Sequence, residues 1–228
     1  MMNTRLYDRY TSTTMLLGFD ERELTDWSRR YFRYHLLPHL PKELSSTILD
    51  IGCGYGRHVM TLMECGFKNT VGIDVSREQI EYGRNNLGLT NIDVVDPLQY
   101  LDGKANSYDA VLLLDVLEHL EVDYAIRLLG KIGDALKDGG VLLVQVPNAL
   151  SPLCVNLYGD VTHVRAFTSR SIEQIMRMAG YLADQFDHFP LGPFPADWKS
   201  FIRTVAWRTI FSPLIGIYLR VAVGGTFG

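Results

Sequence analysis

Five short runs between Thr47 and Val146 are almost unbroken in apolar residues, and stretches with helical spacing separate them. The runs are Thr47–Ile51, Thr70–Ile73, Ile92–Val95, Ala110–Leu114 and Val141–Val146. A strand with one wet face alternates polar and apolar side chains, whereas a strand covered on both faces does not. Continuous runs therefore predict a parallel sheet between two helical layers, because parallel neighbours need crossover connections.

The intervening stretches supply those crossovers. Arg57–Cys65 predicts one helix. Ser76, with Gln79 three residues later, predicts the N-cap of the next. Val122–Leu136 places Ala125, Leu128, Ile132 and Leu136 on one face, and Gly139-Gly140 reads as its stop. After Pro147 a loop runs to Thr168. It precedes a helix over Ser171–Ala179, ended by Gly180. Leu182–Phe189 is a candidate sixth strand and Leu219–Val223 a candidate seventh.

The flanks differ in character. Residues 1–41 read as a helical, aromatic lid. Asp20 and Glu23 form a capping-box pair, Leu24, Trp27, Tyr31 and Tyr34 follow at helical spacing, and Pro38 and Pro41 close the segment. Residues 42–190 form the central domain, and Pro190, Pro193 and Pro195 mark a linker into residues 191–228. From Asp197 onward, Lys199, Arg203, Arg208 and Arg220 face that one acid, with Trp198, Phe201, Trp207, Phe211 and Tyr218 interleaved. Such a segment suits peripheral membrane contact over residues 198–223, a buried edge helix or a homodimer face. Pro213 should break its helix, which favours burial or oligomerisation.

With 22 Lys and Arg against 26 Asp and Glu, the chain has no charge suited to coating nucleic acid. Cys53, Cys65 and Cys154 are odd in number and far apart, which gives neither a zinc pattern nor a disulfide framework. A reducing, cytoplasmic location is expected, with no signal peptide at residues 1–8 and no apolar run of spanning length.

The most informative segment is Ile48-Leu49-Asp50-Ile51-Gly52-Cys53-Gly54-Tyr55-Gly56. Its glycines follow a strand and precede a helix, where a bare backbone can turn tightly and touch a ligand. Helix N–H groups then face an anionic part of that ligand. Asp74 ends the second strand, placed to accept from ribose hydroxyls, and Asp96 ends the third. Each Asp is also an ordinary turn or cap residue.

These pieces resemble the class I S-adenosylmethionine-dependent methyltransferase family. The resemblance rests on Ile48–Gly56, Val71–Asp74, Asp96-Pro97-Leu98, Tyr108–His119 and Leu136–Asn148, in the family's order, and spans about residues 47–180. Nicotinamide dehydrogenases use G-x-G-x-x-G, but here Arg57 stands at that last position. The resemblance implies a Rossmann-like three-layer αβα sandwich with a mostly parallel seven-stranded sheet, an N-terminal helical extension and an apolar C-terminal segment. It implies S-adenosyl-L-methionine as cofactor and S-adenosyl-L-homocysteine as product. Gly52, Gly54 and Gly56 would line the methionine part, with Asp50 supporting the turn. Asp74 would hold the ribose and Val75 would lie beside the adenine. Asp96 would approach the adenine amino group between Pro97 and Leu98. Leu114 and Asp115 would face the reactive methyl, and Tyr10, near Tyr7 and Thr11, would reach the cofactor carboxylate.

An oxygen acceptor must lose a proton, and a nearby base helps. His163, in Asp160-Val161-Thr162-His163, is the preferred base, with His119 as a second candidate or a structural residue. A D-x-x-H before a helix ending in Ala179-Gly180-Tyr181 is similar to family members acting on sugars or lipid-linked small molecules. Asp115, Glu118 and His119 also resemble a cluster in metal-using quinone-precursor O-methyltransferases, although no metal is expected here. A non-catalytic cofactor-binding module is the remaining alternative. Nucleic-acid acceptors are not expected, because Leu114-Asp115-Val116-Leu117 stands where base methylation uses N-P-P-Y.

Overall fold

The computed structural model describes residues 21–150, 158–189, 191, 193–195 and 198–214. Its centre is a sheet of five parallel strands in the order β3-β2-β1-β4-β5. The strands are β1 (Ile48–Ile51), β2 (Thr70–Asp74), β3 (Ile92–Val94), β4 (Tyr108–Leu114) and β5 (Leu136–Gln145). The helices are α1 (Glu21–Tyr31), α2 (Arg57–Glu64), α3 (Arg77–Leu87), α4 (Pro97–Leu101), α5 (Val122–Ala135), α6 (Ser169–Met178) and α7 (Trp198–Ala206).

Burial explains the continuous apolar runs. Along β4, Val111 and Leu113 enter one core with Ile51, Leu128, Ile132 and Met176. Their neighbours Ala110, Leu112 and Leu114 enter a second core with Phe32, Leu36, Ile48, Leu62 and Leu143. Alternate side chains of one strand thus serve two helical layers, which makes a three-layer sandwich.

Ser76 caps α3, its side chain accepting the Gln79 N–H. Thr168 and Ser171 form a reciprocal capping box on α6. The loop after β5 is pinched at its base, because Ala149 N–H donates to the Phe167 carbonyl and Phe167 N–H to that of Pro147. The expected N-cap Asp20, the seventh-strand candidate Leu219–Val223, Cys154, and Tyr7, Tyr10 and Thr11 lie outside the described residues. Cys53 and Cys65 are free thiols.

Four expectations need correction. The described sheet has five strands, not seven. Leu182–Phe189 is not a strand but a 3-10 turn, Ala183–Gln185, with extended flanks. There Gln185 Oε1 takes the Leu182 N–H at 2.7 Å, a local bond that competes with sheet pairing. Gly139-Gly140 does not stop α5. The helix ends at Ala135 because the Asn106 and Ser107 N–H groups take its last carbonyls, at Asp134 and Ala135. The two glycines instead lie in a bulge of β5, between the Leu136–Tyr108 and Val141–Ala110 pairs. Pro213 does not end the C-terminal helix. A π turn at Trp207–Phe211 shifts the hydrogen-bond register, Ser212 N–H bonding the Trp207 carbonyl, and helical structure continues to Leu214.

The N-terminal helix is fixed to the body. Arg29 and Arg33 pair with Glu64 of α2. A π turn, Phe32–Leu36, continues from α1 and buries Phe32 and Leu36. Phe189 stacks on His39, and Phe194 packs among Trp27, Tyr31, Tyr34 and His35.

Candidate active site

All five strands end at one edge of the sheet, and the chain reverses direction across it between β1 and β4. A crevice at that switch point is where open parallel sheets bind ligands. The turn after β1 forms its floor. Gly52, Gly54 and Gly56 have φ of +74°, +59° and +88°. At Gly54 a left-handed backbone penalises any Cβ, and Gln79 Oε1, 2.6 Å from where that atom would lie, would have to swing aside.

Asp74 holds the turn in place. Its two carboxylate oxygens accept from Gly54 N–H (2.8 Å) and Ser76 N–H (2.7 Å). Burial raises its pKa, while these backbone bonds pull the other way. Asp50, on β1, is fully buried, and its Oδ2 has no hydrogen-bond partner. Burial pushes its pKa up to about 7, against the stabilising charge of Arg57. Val75 follows Asp74 with partial exposure. Asp96 caps α4, Oδ1 accepting from Leu98 and Gln99 N–H, and Oδ2 accepts from the Tyr124 hydroxyl at 2.9 Å. Pro97 is buried and Leu98 half-buried beside it.

Beyond β4 the chain turns sharply. Asp115 has φ +55°, uncommon for a residue with a Cβ. Its Oδ2 accepts from Gln145 Nε2 at 2.8 Å, and Gln145 Oε1 accepts from the Tyr31 hydroxyl at 3.0 Å. Asp115 is exposed to solvent at the end of β4, yet the protein around its carboxylate still displaces enough water to raise its pKa. Leu114, behind it, is buried. Sequence places Tyr31 only in a helical pattern and gives Gln145 no role, although a glutamine in an otherwise apolar run is a legible signal.

The two histidines come together. Their rings are 4.6 Å apart. The Thr162 hydroxyl donates to Asp160 Oδ1 at 2.6 Å, so it accepts from His119 Nδ1 at 2.9 Å. That fixes the His119 tautomer and leaves its lone pair on Nε2. Burial, helped by nearby His163, lowers the His119 pKa. Glu118 is fully buried with both oxygens unpartnered, and its Oε1 lies 3.9 Å from His163 Nε2. Burial first, and Asp115 second, push the Glu118 pKa up to about 8.

The acceptors around the turn fit a cationic nucleoside. Asp50, Asp74, Asp96 and Asp115 surround bare glycine backbone, which suits a ligand with a positive centre and ribose hydroxyls. A cavity of about 370 Å³ lined by Pro41, Asp109, Lys137 and Gly140 lies elsewhere, by the start of β4, where Lys137 already pairs with Asp109.

A family model described as a methyltransferase domain matches residues 19–185. The chain belongs to the class I S-adenosylmethionine-dependent methyltransferase domain family. It is 32% identical over 133 residues to a ubiquinone biosynthesis O-methyltransferase of Methylocella silvestris, covering 55% of this chain and 50% of the relative. It is 29% identical over 170 residues to a tRNA U34 carboxymethyltransferase of Vibrio atlanticus, covering 69% and 51%. The methyltransferase domain thus spans about half the length of these two relatives. In fold it resembles an S-adenosylmethionine-dependent methyltransferase of Archaeoglobus fulgidus, with a TM-score of 0.61, 20% identity, and coverage of 79% and 84%.

Proposed function

We propose that this methyltransferase transfers a methyl group to an oxygen of a sugar, glycan or lipid-linked small molecule, with His163 as general base. One observation carries the reading. The loop after β5 brings His163 beside His119 and the buried Glu118, within electrostatic reach of Asp115. An imidazole is the side chain best matched to removing a proton near neutrality.

The sulfonium cofactor supplies an electrophilic methyl when bound. The chain's own residues do the rest. Gly52, Gly54 and Gly56 would offer bare backbone to the methionine part, and Asp74 and Asp96 would hold the ribose and the adenine, with Val75, Pro97 and Leu98 around the base. Tyr31, through Gln145, fixes Asp115 at the end of β4. Alignment of this kind contributes roughly 7–11 kcal/mol in favourable cases. With 22 Lys and Arg against 26 Asp and Glu, the chain lacks the basic surplus that a phosphodiester chain draws on, which supports a small acceptor over nucleic acid.

The test is calorimetry with S-adenosylmethionine, followed by mass spectrometry of glycan and lipid extracts incubated with the enzyme. Cofactor binding with no methylated product in either extract sinks the acceptor class.

A second reading has one observation in its favour. One ligand atom each from Glu118, His119 and His163 lies within 4.8 Å of the others. A divalent cation there would assist a quinone-precursor-type acceptor. If a chelator abolishes turnover and magnesium or zinc restores it, this reading replaces the base mechanism.

A further inference from the structure

We propose that the outer face of α7 and the π turn after it seats the protein on an anionic lipid surface. The segment is inverted relative to an ordinary surface helix. Its buried positions are small and polar: Ser200 is 7% exposed and Thr204 5%. Thr204 satisfies its own hydroxyl by donating to the Ser200 carbonyl at 2.7 Å. Its large apolar residues point outward, with Trp198 69% exposed and Phe201 and Ile202 each 56%. Trp207, Ile210 and Phe211 continue the exposed set through the π turn. A water-facing helix should show the opposite pattern.

Charge chooses the occupant. Residues 198–214 contain Lys199, Arg203 and Arg208 and no carboxylate. On the helix, Lys199 and Arg203 lie four apart and flank the apolar face that Trp198, Phe201, Ile202 and Val205 share. Lys199 Nζ stands 5.7 Å from the Trp198 ring centre. A two-fold pairing of this face with a second copy would set cations against cations, with no acid on the segment to neutralise them. An anionic headgroup layer supplies the missing charge while the acyl boundary covers the rings, as in helices that lie in an interface. Among the described residues no helix is long and apolar enough to cross a membrane.

Phe194, four residues before Trp198, packs on Tyr31, whose hydroxyl bonds Gln145. This proposal does not depend on the acceptor, and its test uses no activity.

The experiment is sedimentation of the full chain with phosphatidylcholine vesicles, with and without about 30% phosphatidylglycerol. Light scattering runs alongside. Binding is expected on the anionic vesicles, at least about tenfold weaker on pure phosphatidylcholine or in about 0.5 M salt. Phe201→Ser with Ile202→Ser, and separately Lys199→Glu with Arg203→Glu, should each weaken binding about tenfold or more with unchanged circular dichroism. Absence of sedimentation with anionic vesicles at low salt overturns the proposal. So does undiminished binding by both variants. A dimer that Phe201→Ser with Ile202→Ser splits into monomers assigns the face to a second copy instead.

Discussion

His163 Nε2 stands 3.9 Å from Glu118 Oε1, a carboxylate that water does not reach. The distance is too long for a hydrogen bond. With its pKa near 8, the Glu118 carboxyl is mostly protonated at neutral pH, so the pair is not an ion pair there. A neutral acid presents a dipole rather than a full charge to the imidazole beside it.

Stability should depend on pH in a defined direction. Glu118 is raised from 4.5 to about 8 and Asp50 from 3.8 to about 7, both mainly by burial. The folded state therefore holds these protons more tightly than the unfolded chain. Their stabilising contribution is complete below the unfolded values and is lost as pH climbs through the folded ones. The thermal midpoint, measured with chelator present, should fall by several degrees between those limits. Glu118→Gln, which stays neutral, should flatten the upper part of the slope.

A side chain at Gly54 should cost stability. Gly54→Ala combines a φ of +59° with a Cβ 2.6 Å from Gln79 Oε1, and about 1–2 kcal/mol of stability should be lost. Asp74→Ala removes the acceptor for the Gly54 and Ser76 N–H groups. Calorimetry should show cofactor affinity at least about 100-fold weaker for Asp74→Ala, with a smaller loss for Gly54→Ala.

His163→Ala should leave cofactor binding intact and lower turnover by about 100- to 10,000-fold, the range of general-base catalysis. His119→Ala should cost less. Steady-state rates beside calorimetry separate the two effects. Wild-type turnover in His163→Ala would remove it as the base.

Tyr31→Phe deletes the hydroxyl that bonds Gln145 but keeps the ring against Phe194. About 0.5–1.5 kcal/mol of stability should go with it. Gln145→Leu should cost more catalytically, because Asp115 loses its donor. The check is kcat/KM for both variants, with Gln145→Leu the slower.

Much of this was written locally in the chain. Ser76 and Gln79 form a cap because they are three residues apart, and β1 leads into left-handed glycines because Gly52, Gly54 and Gly56 stand together. Asp96 was legible both as a cap and as a strand end, and the structure shows it capping α4. What sequence could not supply were contacts between distant parts. Tyr31 and Gln145 are 114 residues apart, and nothing local announces their bond. The end of α5 is not legible either, because its last carbonyls are satisfied by Asn106 and Ser107 rather than by a following glycine. Which C-terminal residues of α7 face inward is likewise not legible locally, since Ser200 and Thr204 rather than the large apolar residues take the inner positions.

Phe194 ties two remote stretches into one cooperative unit. Four rings from Trp27 to His35 clasp it, so neither stretch can peel away without stripping the other of its apolar cover. Amide protons of the first helical segment and those near residue 194 should therefore open to exchange in a single event. A tug on the C-terminal helix would reach the wall of the crevice along that clasp.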